Sequence, residues 1–297
     1  MEIMKQEVIG GETMKTTYYE NRKIKETHFI ADICFDYYSE RLRADDYRGN
    51  VTLFAEWLEE ESQKNNFHKI IVKSKVDDVS YWQELGYVNE GEFKGYFNGG
   101  SAFAMCKYLK KERRNSEYWV DEDRILSDVI KIPKGAKNLP LPSNYLLRMA
   151  DIQDAKSLAE LYGEVFEVYP TPMNDAEYVR KMIESGTLFC VIEHEKRIIS
   201  AASADVNETY NNAEITDCAT TPEHRKFGLM KHLIDQLEKE LFQRNIYCSY
   251  SIARALSFGM NAVFHQKSYV YKGRLANNCK IFDKYEDMNI WVKDLSV

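Results

Sequence analysis

The sequence contains no apolar run that approaches the roughly 20 residues a membrane-spanning helix needs. Its charged N-terminus also lacks the apolar core of a signal peptide. Basic residues are not in excess, because 40 lysines and arginines stand against 47 aspartates and glutamates, for a formal net charge of −7. These absences argue against a membrane or a nucleic acid as the main partner and predict a cytoplasmic protein.

Spacings typical of metal sites and disulfide frameworks are also missing. The six cysteines are Cys34, Cys106, Cys190, Cys218, Cys248 and Cys279. They show no CxxC spacing and lie mostly in apolar, strand-like runs, which is typical of buried thiols in a reducing compartment. The six histidines form no cluster with ligand spacing, so we predict no metal site.

Proline is absent before Pro133, and this absence divides the chain. Three of the six prolines fall in Pro133-x-Gly135 and Pro140-Leu-Pro142. Because Pro and Gly interrupt regular elements, we predict a linker over residues 131–143. It separates a first domain, residues 1–130, from a second domain, residues 144–297, and the chain is long enough for both.

The most informative segment of the second domain is a predicted strand, Ala213 to Thr220, that leads into a helix through Arg225-x-x-Gly228. The helix carries apolar residues at helical spacing, namely Leu229, Leu233, Ile234, Leu237 and Leu241. Such a turn aims several backbone N–H groups at one point, where the helix dipole adds partial positive charge. The turn therefore suits a pyrophosphate group.

The elements around this segment give the order β-α-α-β-β-β-α-β-α-β-β over residues 144–297. A first strand at 145–150 is followed by helices to about 166 and over 175–184, and by a hairpin at 187–206. After the strand–turn–helix segment come a strand at 246–252, a helix at 257–266 and strands at 269–276 and 288–293. The sequence thus predicts an α/β domain with a mixed sheet.

This order and the turn resemble the acyltransferases of the GNAT superfamily, whose motif reads Gln/Arg-x-x-Gly-x-Gly/Ala. Met230 stands where that motif usually ends in Gly or Ala. The resemblance implies a GNAT acyl-CoA N-acyltransferase fold in the second domain, acetyl-CoA as cosubstrate and no metal. It assigns acetyl-CoA binding to Cys218, Ala219, Thr220, Arg225, Lys226, Phe227, Gly228, Leu229 and Met230.

The first half repeats part of this order. Arg48-Gly49 precedes a helix at 51–63, as Arg225-x-x-Gly228 precedes its helix, and a strand at 70–73 and a helix at 79–85 follow. We interpret the first domain as a smaller, degenerate GNAT-like α/β domain, although this order is common in unrelated folds. Asp45 and Asp46 would repel phosphate, so we assign the domain to packing, dimerisation or a wall over the second site.

The candidate catalytic base is Glu214. A lysine-type amine has a pKa near 10.4 and must lose a proton before it can accept an acetyl group. Because side chains alternate along a strand, Glu214, Thr216 and Cys218 are expected on one face and Asp217 on the other. The run Ala-Glu-Ile-x-x-Cys-Ala resembles the histone acetyltransferase branch, which implies Glu214 as the base; the alternative is that it solvates a strand end.

A general acid is less clearly marked. Many GNAT enzymes carry a tyrosine on the helix at 257–266, but the equivalent position here is Phe264, which cannot donate a proton. Either Tyr269 or Tyr271 acts instead, or the thiolate leaves unaided. We select Tyr271 as the candidate.

The polar segments at 253–261, 277–278 and 286–291, with the loop at 165–172, resemble one family, the β-lysine N-acetyltransferases. The likeness runs from about Asp32 to the C-terminus. It implies acetylation of the ε-amine of β-lysine, which yields a compatible solute used against osmotic stress. The residues that we assign to the acceptor are Tyr169, Asp217, Arg254, Asn277, Asn278, Glu286 and Asn289.

Other functions remain open at this point. The acceptor could be a polyamine, another lysine-like metabolite or a protein lysine, and the chain could also be a non-catalytic sensor that binds acetyl-CoA. Several acceptor candidates also have plain structural interpretations: Arg254 as a surface arginine, Asn277-Asn278 as a turn and Tyr169-Pro170 as a rigid turn. A homodimer is left open.

Overall fold

A computed structural model describes residues 2–9, 12–135, 138–281 and 284–297, with side chains from Tyr18 onward. Residues 136 and 137 of the predicted linker lie outside the described residues. The strands of the N-terminal half are β1 (Glu2–Ile9), β2 (Glu12–Lys25), β3 (Phe29–Asp36), β4 (Arg41–Gly49), β5 (Lys69–Ser74), β6 (Val88–Phe97) and β7 (Gly100–Tyr108). Its helices are α1 (Val51–Lys64), α2 (Val79–Glu84), α3 (Lys111–Arg114) and α4 (Trp119–Ile130).

The C-terminal half has the order of elements that the sequence predicts. Its strands are β8 (Tyr145–Met149), β9 (Leu188–His194), β10 (Arg197–Asn207), β11 (Asn212–Thr220), β12 (Cys248–Arg254), β13 (Val270–Ile281) and β14 (Lys284–Asp294). Its helices are α5 (Ala155–Val165), α6 (Ala176–Glu184), α7 (Leu229–Gln243) and α8 (Phe258–Gln266). The predicted β-α-α-β-β-β-α-β-α-β-β order is therefore confirmed, and β13 and β14 are longer than expected.

The fourteen strands within the described ranges form one mixed sheet, in the order β1-β2-β3-β4-β5-β7-β6-β13-β14-β12-β11-β10-β9-β8. Each half contains a parallel pair, β4 with β5 and β11 with β12, joined through helices α1 and α7 respectively. The order β3-β4-β5-β7-β6 of the first half is matched by β10-β11-β12-β14-β13 of the second. The repeat inferred from the sequence is thus present in the strand topology.

The helical spacing noted in α7 produces its core face. Leu229, Leu233, Ile234, Leu237 and Leu241 are all buried against the sheet of the C-terminal half. The corresponding core of the N-terminal half lies under α1. Helix α4 packs against α8 and contributes a buried valine to the C-terminal core, although it precedes the predicted linker.

The two halves meet where β6 pairs with β13 at Gly91 and Gly273. A Cβ added at Gly273 would lie 2.2 Å from the carbonyl oxygen of Glu90, so the two backbones approach more closely than side chains would allow. Beside this junction, buried Lys69 of β5 donates to Glu90 at 2.9 Å and to the carbonyl oxygen of Ala276 at 2.7 Å. A shared hydrophobic cluster from both halves covers the same region.

The cysteines and the helices bear on two predictions made from the sequence. All six cysteines are free thiols, and five are buried while Cys218 is half-buried, so the predicted burial of most of them is confirmed. None of the helices within the described ranges combines the length and the apolar character needed to span a membrane.

Candidate active site

Strands β11 and β12 separate from each other inside the C-terminal half. They pair over three residues, from Asn212 to Glu214 on β11, and β11 then continues to Thr220 paired with β10. Along this stretch the side of β11 that faces β12 has no neighbouring strand, so its backbone groups can bind a ligand. Cys218, Ala219 and Thr220, which the GNAT resemblance assigns to acetyl-CoA, lie on this edge.

The turn after β11 has the conformation that an anion site requires. A 3-10 helix, Pro222–Phe227, ends at Gly228, whose φ of 67° and ψ of 21° are left-handed. The first N–H groups of α7 have no partner within the helix and point toward this turn. Arg225 and Lys226 are exposed beside it, and Arg225 Nε donates to the carbonyl oxygen of Thr220 at 3.1 Å. The residues present fit a pyrophosphate group.

Met230 does not obstruct this turn. Its side chain is only 8% exposed and packs with Leu229 in the core between α7 and the sheet. The side chain that replaces the usual small residue is therefore directed into the protein core.

We expect Gly228→Val to raise the KM for acetyl-CoA about tenfold, because a left-handed conformation costs a non-glycine residue about 1–2 kcal/mol. A steric clash is not the reason for the expected effect, since a Cβ at this position would meet nothing within 4 Å. Gly228→Asn is the matched control, because asparagine tolerates left-handed φ values, and its KM should change less than about threefold. Equal KM values for the two variants would contradict the requirement for this conformation.

A β-bulge in β11 changes the expected direction of two side chains. Ser203 of β10 pairs with Thr216 and Ala201 pairs with Ala219, so two residues of β11 oppose one of β10. Asp217 has a φ of 49° at this bulge. It consequently faces the same cavity as Glu214, whereas Cys218 packs against the core under α7. The predicted alternation, with Cys218 beside Glu214 and Asp217 opposite, was wrong because the bulge interrupts the period of two.

A cavity of about 660 Å³ lies between the two halves of the chain. The C-terminal half lines it with Tyr169, Asp205, Glu214, Asp217 and Asn278, among others. The N-terminal half lines it with Arg41, Arg43, Asp45, Lys73 and Tyr96, among others. The structure thus brings four predicted site residues together, namely Tyr169, Glu214, Asp217 and Asn278. It also makes the N-terminal half a wall of this cavity, one of the roles left open by the sequence.

Glu214 has the electrostatic environment of a general base. Burial raises its pKa to about 7, while Lys73 and Arg43 across the cavity lower the pKa and Asp205 and Asp217 raise it. A carboxyl with a pKa near neutrality can take and release a proton at physiological pH.

Asp217 is held by two donors. Ser203 Oγ donates to one carboxylate oxygen at 2.6 Å, and the Tyr169 hydroxyl donates to the other at 3.2 Å. Burial nevertheless raises the pKa of Asp217 to about 6. The Tyr169 ring stacks on Phe166 with centroids 4.5 Å apart, so the loop before α6 is fixed at the rim of the cavity.

The comparisons with known proteins agree with this geometry. Residues 155–263 match the family model described as Acetyltransferase (GNAT) family. The chain is 37% identical over 274 residues to N-acetyltransferase YodP of Bacillus subtilis, which covers 92% of this chain and 99% of that protein. The chain belongs to the GNAT family. It is an acetyl-CoA-dependent N-acetyltransferase.

Two further relatives of this GNAT enzyme carry a more specific name. Beta-lysine N(6)-acetyltransferase of Methanosarcina mazei is 36% identical over 247 residues, 76% of this chain and 91% of that protein. The protein of the same name from Methanococcus maripaludis is 29% identical over 225 residues, 76% of this chain and 82% of that protein.

Two predicted acceptor residues bind each other in the GNAT enzyme. Arg254 donates to Glu286 at 2.8 Å, and Glu286 is 1% exposed. Each of these two residues thus already has a charged partner within the protein. Neither residue lies among those that line the cavity with Glu214.

Two predicted asparagines make hydrogen bonds within the protein. Asn289 accepts from Arg274 Nε at 3.0 Å and donates to Asn261 at 2.9 Å, and it is fully buried. Asn277 donates from its side chain to the carbonyl oxygen of Asn115 at 3.1 Å. These bonds orient β13 and β14, and neither asparagine lines the cavity.

Tyr271, the candidate acid, lies apart from Glu214. It packs on Trp291 with centroids 5.8 Å apart, at the edge of the core under α7 and α8. Phe264 is 1% exposed and contacts Tyr269 in the same core. Tyr271 is not among the residues that line the cavity with Glu214.

Sequence reasoning missed Arg43, Lys73 and Asp205 as cavity residues. The signal that could have found Arg43 is the repeat, because β4 corresponds to β11 and so carries its side chains toward the equivalent space. Asp45 was noticed only as unsuited to phosphate. Within the described ranges, no three His, Cys, Asp or Glu side chains are grouped so as to hold a metal ion.

Proposed function

We propose that this GNAT enzyme transfers the acetyl group of acetyl-CoA to the ε-amine of β-lysine, forming N-acetyl-β-lysine. Two relatives with the name Beta-lysine N(6)-acetyltransferase support this acceptor. The observation that carries the chemistry is Glu214, a half-buried carboxyl with a pKa of about 7 in a cavity of small-molecule size. A role for the product as a compatible solute under osmotic stress belongs to the same proposal.

The charges of the cavity support a diamino acid. β-Lysine carries two ammonium groups and one carboxylate. Three carboxyl groups, Asp205, Glu214 and Asp217, lie on the C-terminal wall, and Arg43 and Lys73 lie on the N-terminal wall. A polyamine has no group that would bind the basic wall, and a protein lysine would need an open groove instead of a space walled by both halves.

Glu214 acts as the general base in the proposed reaction. Its carboxylate accepts a proton from the acceptor's ammonium group, and the neutral nitrogen then attacks directly within a ternary complex. Acetyl-CoA, when bound at the turn before α7, supplies the activated acetyl group. Backbone N–H groups of β11 beyond its pairing with β12 would donate to the developing oxyanion. The second proton of the nitrogen passes to the departing thiolate, and Glu214 returns its proton to solvent.

Thiol release from acetyl-CoA, measured across β-lysine, lysine, ornithine, spermidine and a lysine peptide, tests this function. We expect β-lysine to have the highest kcat/KM, by about tenfold or more over lysine, because displacement of one amino group changes its alignment with fixed carboxylates. NMR of the product should place the acetyl group on the ε-nitrogen. A higher kcat/KM for the peptide or for spermidine would overturn the proposal. Binding of acetyl-CoA without thiol release for any amine would favour a sensor.

A further inference from the structure

Three charged side chains of the N-terminal half form a cluster on the wall opposite Glu214. Arg43 Nη2 lies 3.3 Å from an Asp45 carboxylate oxygen, and Lys73 Nζ lies 2.9 Å from the other oxygen. We call these three residues the basic cluster. Both cations are close enough to Glu214 to lower its pKa.

The basic cluster carries an unbalanced positive charge. Asp45 is an anion, because Arg43 and Lys73 lower its pKa below the ordinary range despite its burial. Asp45 and other acidic neighbours hold the pKa of Arg43 and that of Lys73 above their ordinary values. Two cations against one anion leave one net positive charge at neutral pH. A partly buried excess charge favours a partner of opposite sign.

The cavity extends to the basic cluster. The cavity lies against the cluster, and 35% of the Arg43 side chain and 28% of the Asp45 side chain remain accessible. Arg43 has five N–H donors, and its Nε has no hydrogen-bond partner among the residues that the structure describes. Lys73 is fixed by donating to the Tyr96 hydroxyl at 2.9 Å. The cluster is thus a cationic part of the cavity wall, and part of the Arg43 side chain remains accessible there.

We infer that Arg43, positioned by Asp45 and assisted by Lys73, binds the carboxylate of the amino acid acceptor. The ammonium groups of the acceptor would then face Asp205, Glu214 and Asp217 on the other wall. This assignment rests on the proposed function, since it requires an acceptor with both charges. It makes the degenerate N-terminal half the part of the enzyme that distinguishes an amino acid from a simple diamine.

The test compares β-lysine with 1,4-diaminopentane, which has the same two amines and no carboxylate. The intact chain should prefer β-lysine in kcat/KM, and Arg43→Met should reduce that preference about 30-fold, as expected when a charge-assisted hydrogen bond is lost. Arg43→Lys should recover part of it, because it keeps the charge without the two-pronged geometry. Circular dichroism of each variant checks the fold, and Lys73→Met provides a second removal of charge from the cluster.

Lys75→Met is the matched control. Lys75 lies two residues after Lys73 and pairs with Asp46 at 3.2 Å, outside the residues lining the cavity. Its preference for β-lysine should equal that of the unmodified chain. If Arg43→Met lowers the rates for the acid and the diamine equally, the cluster only tunes Glu214 or the fold, and the inference fails while the proposed function stands. A preference of the unmodified chain for the diamine would overturn both.

Discussion

Glu214→Gln is expected to lower kcat/KM for the amine acceptor by about 10²- to 10⁴-fold, the usual contribution of a general base. Glutamine has nearly the same shape as glutamate but cannot take a proton. The acetyl-CoA turn is built from other residues, so the affinity for acetyl-CoA should change little. Steady-state kinetics with both substrates varied, together with acetyl-CoA binding by calorimetry, would measure the two effects separately.

The pKa of Glu214 determines the direction in which kcat/KM changes with pH. Because burial raises the pKa of Glu214 to about 7, the carboxylate is present above that pH, and kcat/KM should fall as the pH drops through about 7. In Glu214→Gln the fall in kcat/KM near pH 7 should be absent. The residual rate should instead rise with pH toward the pKa of the acceptor amine, near 10.4. The pH optimum therefore moves upward.

Glu238→Gln is a matched control for the same change. Glu238 is a carboxyl of α7 whose pKa is raised by burial, and it pairs with Lys293 at 2.6 Å. Glu238 does not line the cavity. In Glu238→Gln, kcat/KM should therefore still fall as the pH drops through about 7. A Glu214→Gln enzyme with an unchanged pH profile would remove Glu214 from the mechanism.

Lys69→Met should lower the free energy of unfolding by about 3–5 kcal/mol, because it leaves a buried carboxylate without its cation. Lys69 is fully buried and Glu90 has a side-chain exposure of 4%. Glu90 also accepts from the backbone N–H of Ala276 at 3.2 Å, so its place at the junction of the halves is fixed. Denaturation in urea, followed by circular dichroism, measures the change.

Two further variants separate charge from packing in this experiment. Adding Glu90→Gln to Lys69→Met should restore part of the stability, since the uncompensated charge is removed. Lys64→Met, which breaks an exposed pair with Glu61, should cost no more than about 1 kcal/mol. A loss of similar size for Lys69→Met and Lys64→Met would show that the buried pair has no special role.

The elements of the C-terminal half were predictable because their signals are local. The leucine spacing of α7 and the turn at Gly228 depend on neighbours within a few residues, and the structure keeps both. The repeat between the halves was also visible, since the order of elements survives even where side chains differ.

The site was only partly predictable because its walls come from distant parts of the chain. Nothing near Arg43 in the sequence shows that it faces Glu214, 171 positions later. The bulge at Asp217 depends on the pairing of β11 with β10, and a strict alternation cannot anticipate it. Likewise, the contact of Arg254 with Glu286 across β12 and β14 is not apparent from their spacing in the sequence.

The glycine contact between β6 and β13 bears on whether the two halves that line the cavity can move apart. Because β6 pairs with β13 at Gly91 and Gly273, the strands that the structure describes form one sheet across the two halves. Clamshell closure, in which lobes fold over a bound molecule, would have to disturb this pairing. We therefore expect a cavity whose walls are in place before binding, so that most of the freedom lost on binding is that of the acceptor.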